Sequence, residues 1–197
     1  MNNPSNKFMN IKLYIQIMEE FVLKLAREAI EAYVKTGKKI SIPKDYPKEL
    51  DEKRGVFVTI TKHKELRGCI GFPYPQMPLI EGLIDAAVEV CQDPRFPPLS
   101  REELRDVRIE VSILTEPKLI KVKSQKDCLN VIEPRKDGLI INKGFYSGLF
   151  LPQVWEEIPK REDFLEALCM KAGLLPDEWL DPSAQIYKFN VKILTER

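Results

Sequence analysis

The sequence predicts an α+β fold of two closely packed lobes, with mainly antiparallel sheets and flanking helices. Three observations carry this. Strand patterns come in pairs joined by short turns, with helical patterns between the pairs, which is the order of an antiparallel rather than a doubly wound architecture. The order strand–strand–helix–strand occurs twice along the chain. The closing strands of the halves also share letters: "VSILTE" at 111–116 matches "VKILTE" at 191–196, an offset of 80 (191 − 111). Together these point to a duplicated β-β-α-β unit in one domain over 1–197, with approximate halves 11–120 and 121–197.

The elements follow in order. Ile11, Ile15, Met18, Val22, Leu25, Ala29 and Tyr33 recur at steps of three and four, so 11–35 reads as an amphipathic helix ended by Gly37. Pro43 and Pro47 mark a surface loop. Val56, Val58 and Ile60 alternate as a strand, "HKE" turns the chain, and Leu66–Phe72 returns as its hairpin partner. A helix runs from Leu79 to Cys91 and stops before Pro94, which disfavours helix at Asp93. Ser100 and Glu103 stand at capping-box distance on a short turn, and "RIEVSILT" is a strand. The second half holds a short helix at 124–131, a strand pair in "GLIINKGFYSGLFL", a helix over 161–172 ended by Gly173, and one closing strand, "QIYKFNVKILT".

Composition narrows the function classes. Lys+Arg totals 31 against 30 for Asp+Glu, which argues against a basic nucleic-acid surface. No run of about 18 apolar residues exists, so no membrane span is expected. The first ten residues lack a signal-peptide pattern, which predicts a reducing cytoplasmic setting. Cys69, Cys91, Cys128 and Cys169 are widely spaced with no C-x-x-C, so no metal site is expected, and no motif names a cofactor.

The segment "ELRGCIGF" carries the chemistry. Strand alternation places Leu66, Gly68, Ile70 and Phe72 on one face and Arg67, Cys69 and Gly71 on the other, with Arg67 and Cys69 about 7 Å apart at Cα. A guanidinium there favours a thiolate, whereas a free cysteine is more often a small buried hydrophobe. Gly68 and Gly71 weaken a strand and call for close approach of a backbone or ligand. In "QDPRF", Arg95 suits two-pronged binding of an anion, and Asp93 suits orienting Arg67 or acting as a base. Glu110 is a partner for Arg67 across the sheet, or faces solvent. His63, the single histidine, falls in a solvated turn. Cys91 and Cys169 read as core. Trp155, Trp179, Tyr146 and Phe150 read as packing rather than a base-stacking platform.

Several stretches taken together, "LRGCIGF", "DPRFPPLSREEL", "IEVSILTEP", "GLFLPQV" and "LCMKAGLLPDEW", resemble the AMMECR family from about Phe21 to Leu194. The resemblance implies an α+β protein of two packed lobes with the Arg67–Gly71 signature near their interface. It also implies family positions at Asp93–Phe96 and Leu151–Val154. Phe72 stands where the family often has a small hydroxyl residue, so no hydrogen bond is expected from that side chain. The prokaryotic relatives resemble members of gene neighbourhoods that hold a radical-SAM protein and a MEMO-like protein, which implies partners of those kinds.

Three functions follow. One is a Cys-dependent enzyme or enzyme component, with Cys69 as nucleophile, Arg67 lowering its pKa and Asp93 relaying a proton. Another is a non-catalytic module that binds a small anion or nucleotide-like ligand through Arg67, Gly68, Gly71, Arg95 and Glu110. The third is a protein-interaction or regulatory domain.

Overall fold

The computed structural model describes residues 4–196, with side chains from Leu13 onward. The chain forms two units, one reaching to Ile113 and taking in the last strand from Ile193, the other spanning Leu114–Lys192.

In the first unit, helix α1 (Pro4–Thr36) buries Val22, Leu25, Ala26, Ala29 and Ile30 along one stripe. The helix begins earlier than its sequence pattern. Ile15, expected to face inward, is exposed along with Leu13, Tyr14 and Ile17. Ile11 lies outside the described side chains. Gly37 ends α1 at φ +71°, its N–H donating to Tyr33 O at 2.7 Å. In the loop that follows, Leu50 drives a single turn into the core, where burial of such a side chain contributes about 1.5–3 kcal/mol.

Strands β1 (Val56–Lys62) and β2 (Glu65–Phe72) form an antiparallel hairpin through His63 and Lys64, both in the left-handed region at φ +53° and +70°. Helix α2 (Leu79–Glu89) tightens into a 3₁₀ turn over Val90–Gln92 that carries buried Cys91. Strand β3 (Val107–Leu114) lies antiparallel to β1 on its other side. Val56, Val58, Ile60, Ile109 and Val111 line the face packed by α1 and α2.

The second unit repeats the order. It holds β4 (Lys118–Leu119), the one-turn α3 (Cys128–Val131), the hairpin β5 (Gly138–Lys143) and β6 (Tyr146–Phe150), α4 (Arg161–Lys171), and β7 (Gln185–Phe189). Trp155 stacks on Phe164 at 3.7 Å between centroids and donates its indole N–H to Asp137 O at 2.7 Å. Trp179 is buried, but Tyr146 is exposed rather than packed.

The expected closing strand is two strands. Asn190 interrupts it, because its side chain donates to Lys136 O and Asp137 Oδ1 and its N–H donates to Thr115 Oγ1. Strand β8 (Val191–Thr195) then joins the first sheet. The strand orders are β2-β1-β3-β8 and β4-β7-β5-β6. Each sheet thus takes its fourth strand from the segment following the other sheet's third strand. The "VSILTE" and "VKILTE" match therefore pairs β3 with β8, whereas the topological counterpart of β3 is β7.

Candidate functional site

The site is built on one irregularity in β2. The turn at 63–64 sets the first pairs at Lys62↔Glu65 and Thr61↔Leu66, but the next pair is Ile60↔Gly68. Arg67 is the extra residue of a β-bulge, a device that bends a strand and re-aims a side chain. Without it the register would continue as Ile60↔Arg67 and Val58↔Cys69 (the indices of each pair summing to 127), placing Cys69 on the core face. With it, Cys69 pairs with Thr59 and faces away from the core, while Gly68 pairs with core-facing Ile60.

The bulge also separates Arg67 from Cys69, contrary to simple alternation. Arg67 Nε and Nη2 grip Glu103 Oε1 and Oε2 at 2.9 and 3.0 Å, and Nη2 donates to Pro97 O at 2.9 Å. Lys62, which shares the strand parity of Val58 and Ile60, meets the same Glu103 at 3.1 Å. Arg67 therefore projects toward the helix-covered side and Cys69 toward the other. Leu66 lies before the bulge, opposite Thr61, and is exposed rather than on the apolar face. Glu103 also accepts from Ser100 N at 3.1 Å, which is one half of the expected capping box. The Arg67 guanidinium holds the Glu103 carboxyl down to about 2, and that carboxylate in turn raises Arg67.

Asp93 is 2% exposed and accepts from Cys69 N at 2.8 Å, from Arg95 N at 3.1 Å, and from Arg95 Nε and Nη2 at 3.0 and 2.6 Å. The Arg95 guanidinium is the main cause of its pKa lying well below the usual carboxylate range. Arg95 Nη2 also donates to Cys69 O at 3.0 Å. Cys69 is thus clamped at both backbone groups, its N–H by Asp93 and its C=O by Arg95. Both Arg67 and Arg95 lie within 6 Å of the Phe96 ring centroid, at 5.9 and 5.7 Å.

Cys69 is the one partly exposed cysteine of the four. Burial pushes Cys91 up to about 12 and raises Cys128 and Cys169, so these three are inert core thiols. Thr59 Oγ1 donates to Cys69 Sγ at 3.3 Å. The next residue across the sheet is Glu110, paired with Thr59 and accepting from Thr195 Oγ1 at 3.4 Å. A row Cys69–Thr59–Glu110–Thr195 therefore crosses β2, β1, β3 and β8 on the face away from the core. Glu110 meets Thr195, not Arg67.

The two glycines have structural causes. A Cβ at Gly68 would sit 3.0 Å from Val90 O and 3.6 Å from Asp93 Cβ, so the residue admits the turn that carries Asp93. A Cβ at Gly71 would collide with Val56 O and lie 2.6 Å from the Phe57 Cα and ring. Neighbouring backbone and the Phe57 ring occupy the space. Phe72 packs against the first core.

Nothing local in the sequence marks Glu103 as the partner of Arg67 or Thr59 as the partner of Cys69. Glu103 was legible only as a cap. Thr59 lies opposite Cys69 only because of the bulge. Among the described residues no group of three or more His, Cys, Asp or Glu side chains is arranged to hold a metal ion, and no helix is long and apolar enough to cross a membrane.

The sequence model of the AMMECR1 family matches residues 23–194, which includes every residue of this site except Thr195. The chain belongs to the AMMECR1 family. A Pyrococcus abyssi protein is 50% identical over 90% of this chain and 89% of its own length, and a Methanocaldococcus jannaschii protein is 50% identical over 89% of each. The AMMECR1 fold seen here is similar to the crystal structure of an uncharacterized Pyrococcus horikoshii protein, with TM-score 0.84, 49% identity, and coverage of 91% of this chain and 92% of that one.

Proposed function

We propose that this AMMECR1 domain is a binding module that recognises a small polar ligand along the Cys69–Thr59–Glu110 row, with Cys69 a clamped contact rather than an activated nucleophile. The observation that carries the reading is the division of labour at the bulge. Arg67 is spent on Glu103 and two proline carbonyls, and Asp93 is spent on Arg95 and the Cys69 amide. Neither group is left to raise the nucleophilicity of the sulfur or to take its proton. Among the described residues, the side-chain hydrogen bond to Sγ comes from a hydroxyl, Thr59 Oγ1, which donates to it. The row instead offers a thiol, a hydroxyl and a carboxylate at strand spacing of about 4.8 Å, fixed by backbone clamps that lower the entropic cost of binding.

Two measurements test this. Cys69 in the native protein is expected to react with iodoacetamide within tenfold of the glutathione rate, and Arg67→Ala is expected to change that rate less than threefold. A rate a hundredfold above glutathione that collapses in Arg67→Ala would return the nucleophile reading. A thermal-shift panel of nucleotides and small polar metabolites is expected to yield a stabilising compound whose effect is lost in Glu110→Ala and kept in Cys69→Ser.

A further inference from the structure

Strand β8 is an edge of the first sheet, and edges are templates for pairing unless they are bulged, broken by proline or cut short. The opposite edge, β2, carries the bulge at Arg67. β8 has no proline, it keeps one register against β3 from Asn190–Thr115 to Glu196–Ile109, and its Ile193 is 47% exposed. Glu196 N donates to Ile109 O, and Thr115 N donates to Asn190 O, so the even-numbered residues of β8 bond inward to β3. The N–H and C=O groups of Val191, Ile193 and Thr195 therefore point outward.

Ile193 and Thr195 line a groove of about 760 Å³. Leu23, Val107 and Leu194 give it an apolar lining, and Gln16, Glu19 and Glu20 of α1 line it at a distance along the chain from Arg105 and Arg108. A second hollow of about 200 Å³ shares Asp106 and Arg108 with the groove and is completed by Thr61, His63 and Lys64. Among the described residues, the side chains of Arg105, Arg108, Lys64 and His63 make no hydrogen bond or ion pair, and Asp106 lies among them, whereas Arg27 in the same groove is held by Glu196. His63 and Lys64 reach this hollow from left-handed backbone, which non-glycine residues adopt only at some cost. The groove thus offers outward backbone hydrogen bonds from β8 and an end where Arg105, Arg108 and Lys64 outnumber the single carboxylate of Asp106.

We propose that the β8 edge is a docking site for an extended acidic peptide segment of a partner protein. The segment adds to the sheet beside β8, with alternate side chains over Leu23 and Leu194 and an acidic side chain in the hollow of His63, Lys64 and Arg108. Main-chain bonds give such a complex affinity, and the charged end gives it direction and choice of partner.

The test uses the full chain and three fluorescein-labelled probes: an octapeptide of alternating valine and threonine ending in two aspartates, the same peptide ending in two lysines, and oligo-dT. The aspartate peptide is expected to bind saturably, at least tenfold tighter than the lysine peptide, and to shift the single imidazole C2–H resonance of His63. Arg108→Glu is expected to lower its affinity at least tenfold. Ile193→Pro, which removes an outward N–H and no bond to β3, is expected to do the same. If Ile193→Pro fails to fold, Arg108→Glu and the His63 signal decide. The proposal is overturned if neither peptide binds, if both bind equally, or if Arg108→Glu leaves binding unchanged. Tighter binding of oligo-dT than of the aspartate peptide would overturn it in favour of a nucleic-acid surface.

Discussion

At the scale of single residues, two carboxylates hold the signature segment in place. Glu103 and Asp93 both have pKa values lowered by arginines, Arg67 and Arg95. A carboxyl whose folded pKa lies below its unfolded value of about 4 contributes stability above that value and loses it as pH falls through the folded pKa. For Glu103, at about 2, the contribution is full above about pH 5 and fades between there and pH 2. It is on the order of 2–3 kcal/mol. Asp93 acts in the same direction. Glu103→Gln should therefore lower the urea midpoint at pH 7 and flatten its decline between pH 5 and 2. An unchanged slope in that variant would show that the Arg67 pair contributes nothing to acid stability. None of this was visible from residue types alone. Arg67, Asp93 and Arg95 stood out in the sequence as chemical groups, and tertiary contacts turned them into supports.

At the scale of elements, the bulged hairpin decides which side chains share a face. Gly71 shows how tightly β1 and β2 fit: its missing Cβ is the space taken by Val56 O and the Phe57 ring. Gly148 on β6 is looser, since a Cβ there would meet Ala172 Cβ and Leu168 O at 3.0 Å. Gly71→Ala should cost about 2–3 kcal/mol or more, because backbone must move, while Gly148→Ala should cost about 1 kcal/mol. Thermal unfolding of both variants checks the order. Hairpin, helices and turns were legible because alternation and the 3.6-residue period are local signals. Cap residues such as Gly37, and Ser100 with Glu103, were legible for the same reason. The bulge was not. A one-residue slip leaves the letters of "ELRGCIGF" unchanged and reverses which of them face the core.

At the scale of the whole molecule, the chain exchanges its fourth strands. β4 follows β3 but pairs with β7, and β8 follows β7 but joins β3. The first unit therefore depends on the last residues of the chain. Leu194 belongs to its core, and Glu196 holds Arg27 and the N–H of Ile109. Truncation after Asn190 should cost the first unit about 3–5 kcal/mol through lost burial and an unpaired Arg27. The loss should appear as a lower urea midpoint and as faster amide exchange in β3 than in β5. By itself the sequence determined the α+β class, the kinds and order of the elements, and the segment that carries the signature. Each of these is encoded within about ten residues by periodicity, caps and turns. Only the tertiary structure decided that Arg67 turns from Cys69 toward Glu103, that Thr59 meets the sulfur, and that the chain breaks at Asn190 to send β8 back to the first sheet. Those outcomes depend on register and on strand pairing between residues tens of positions apart, where the competing arrangements use the same local pattern and differ only in what packs against what.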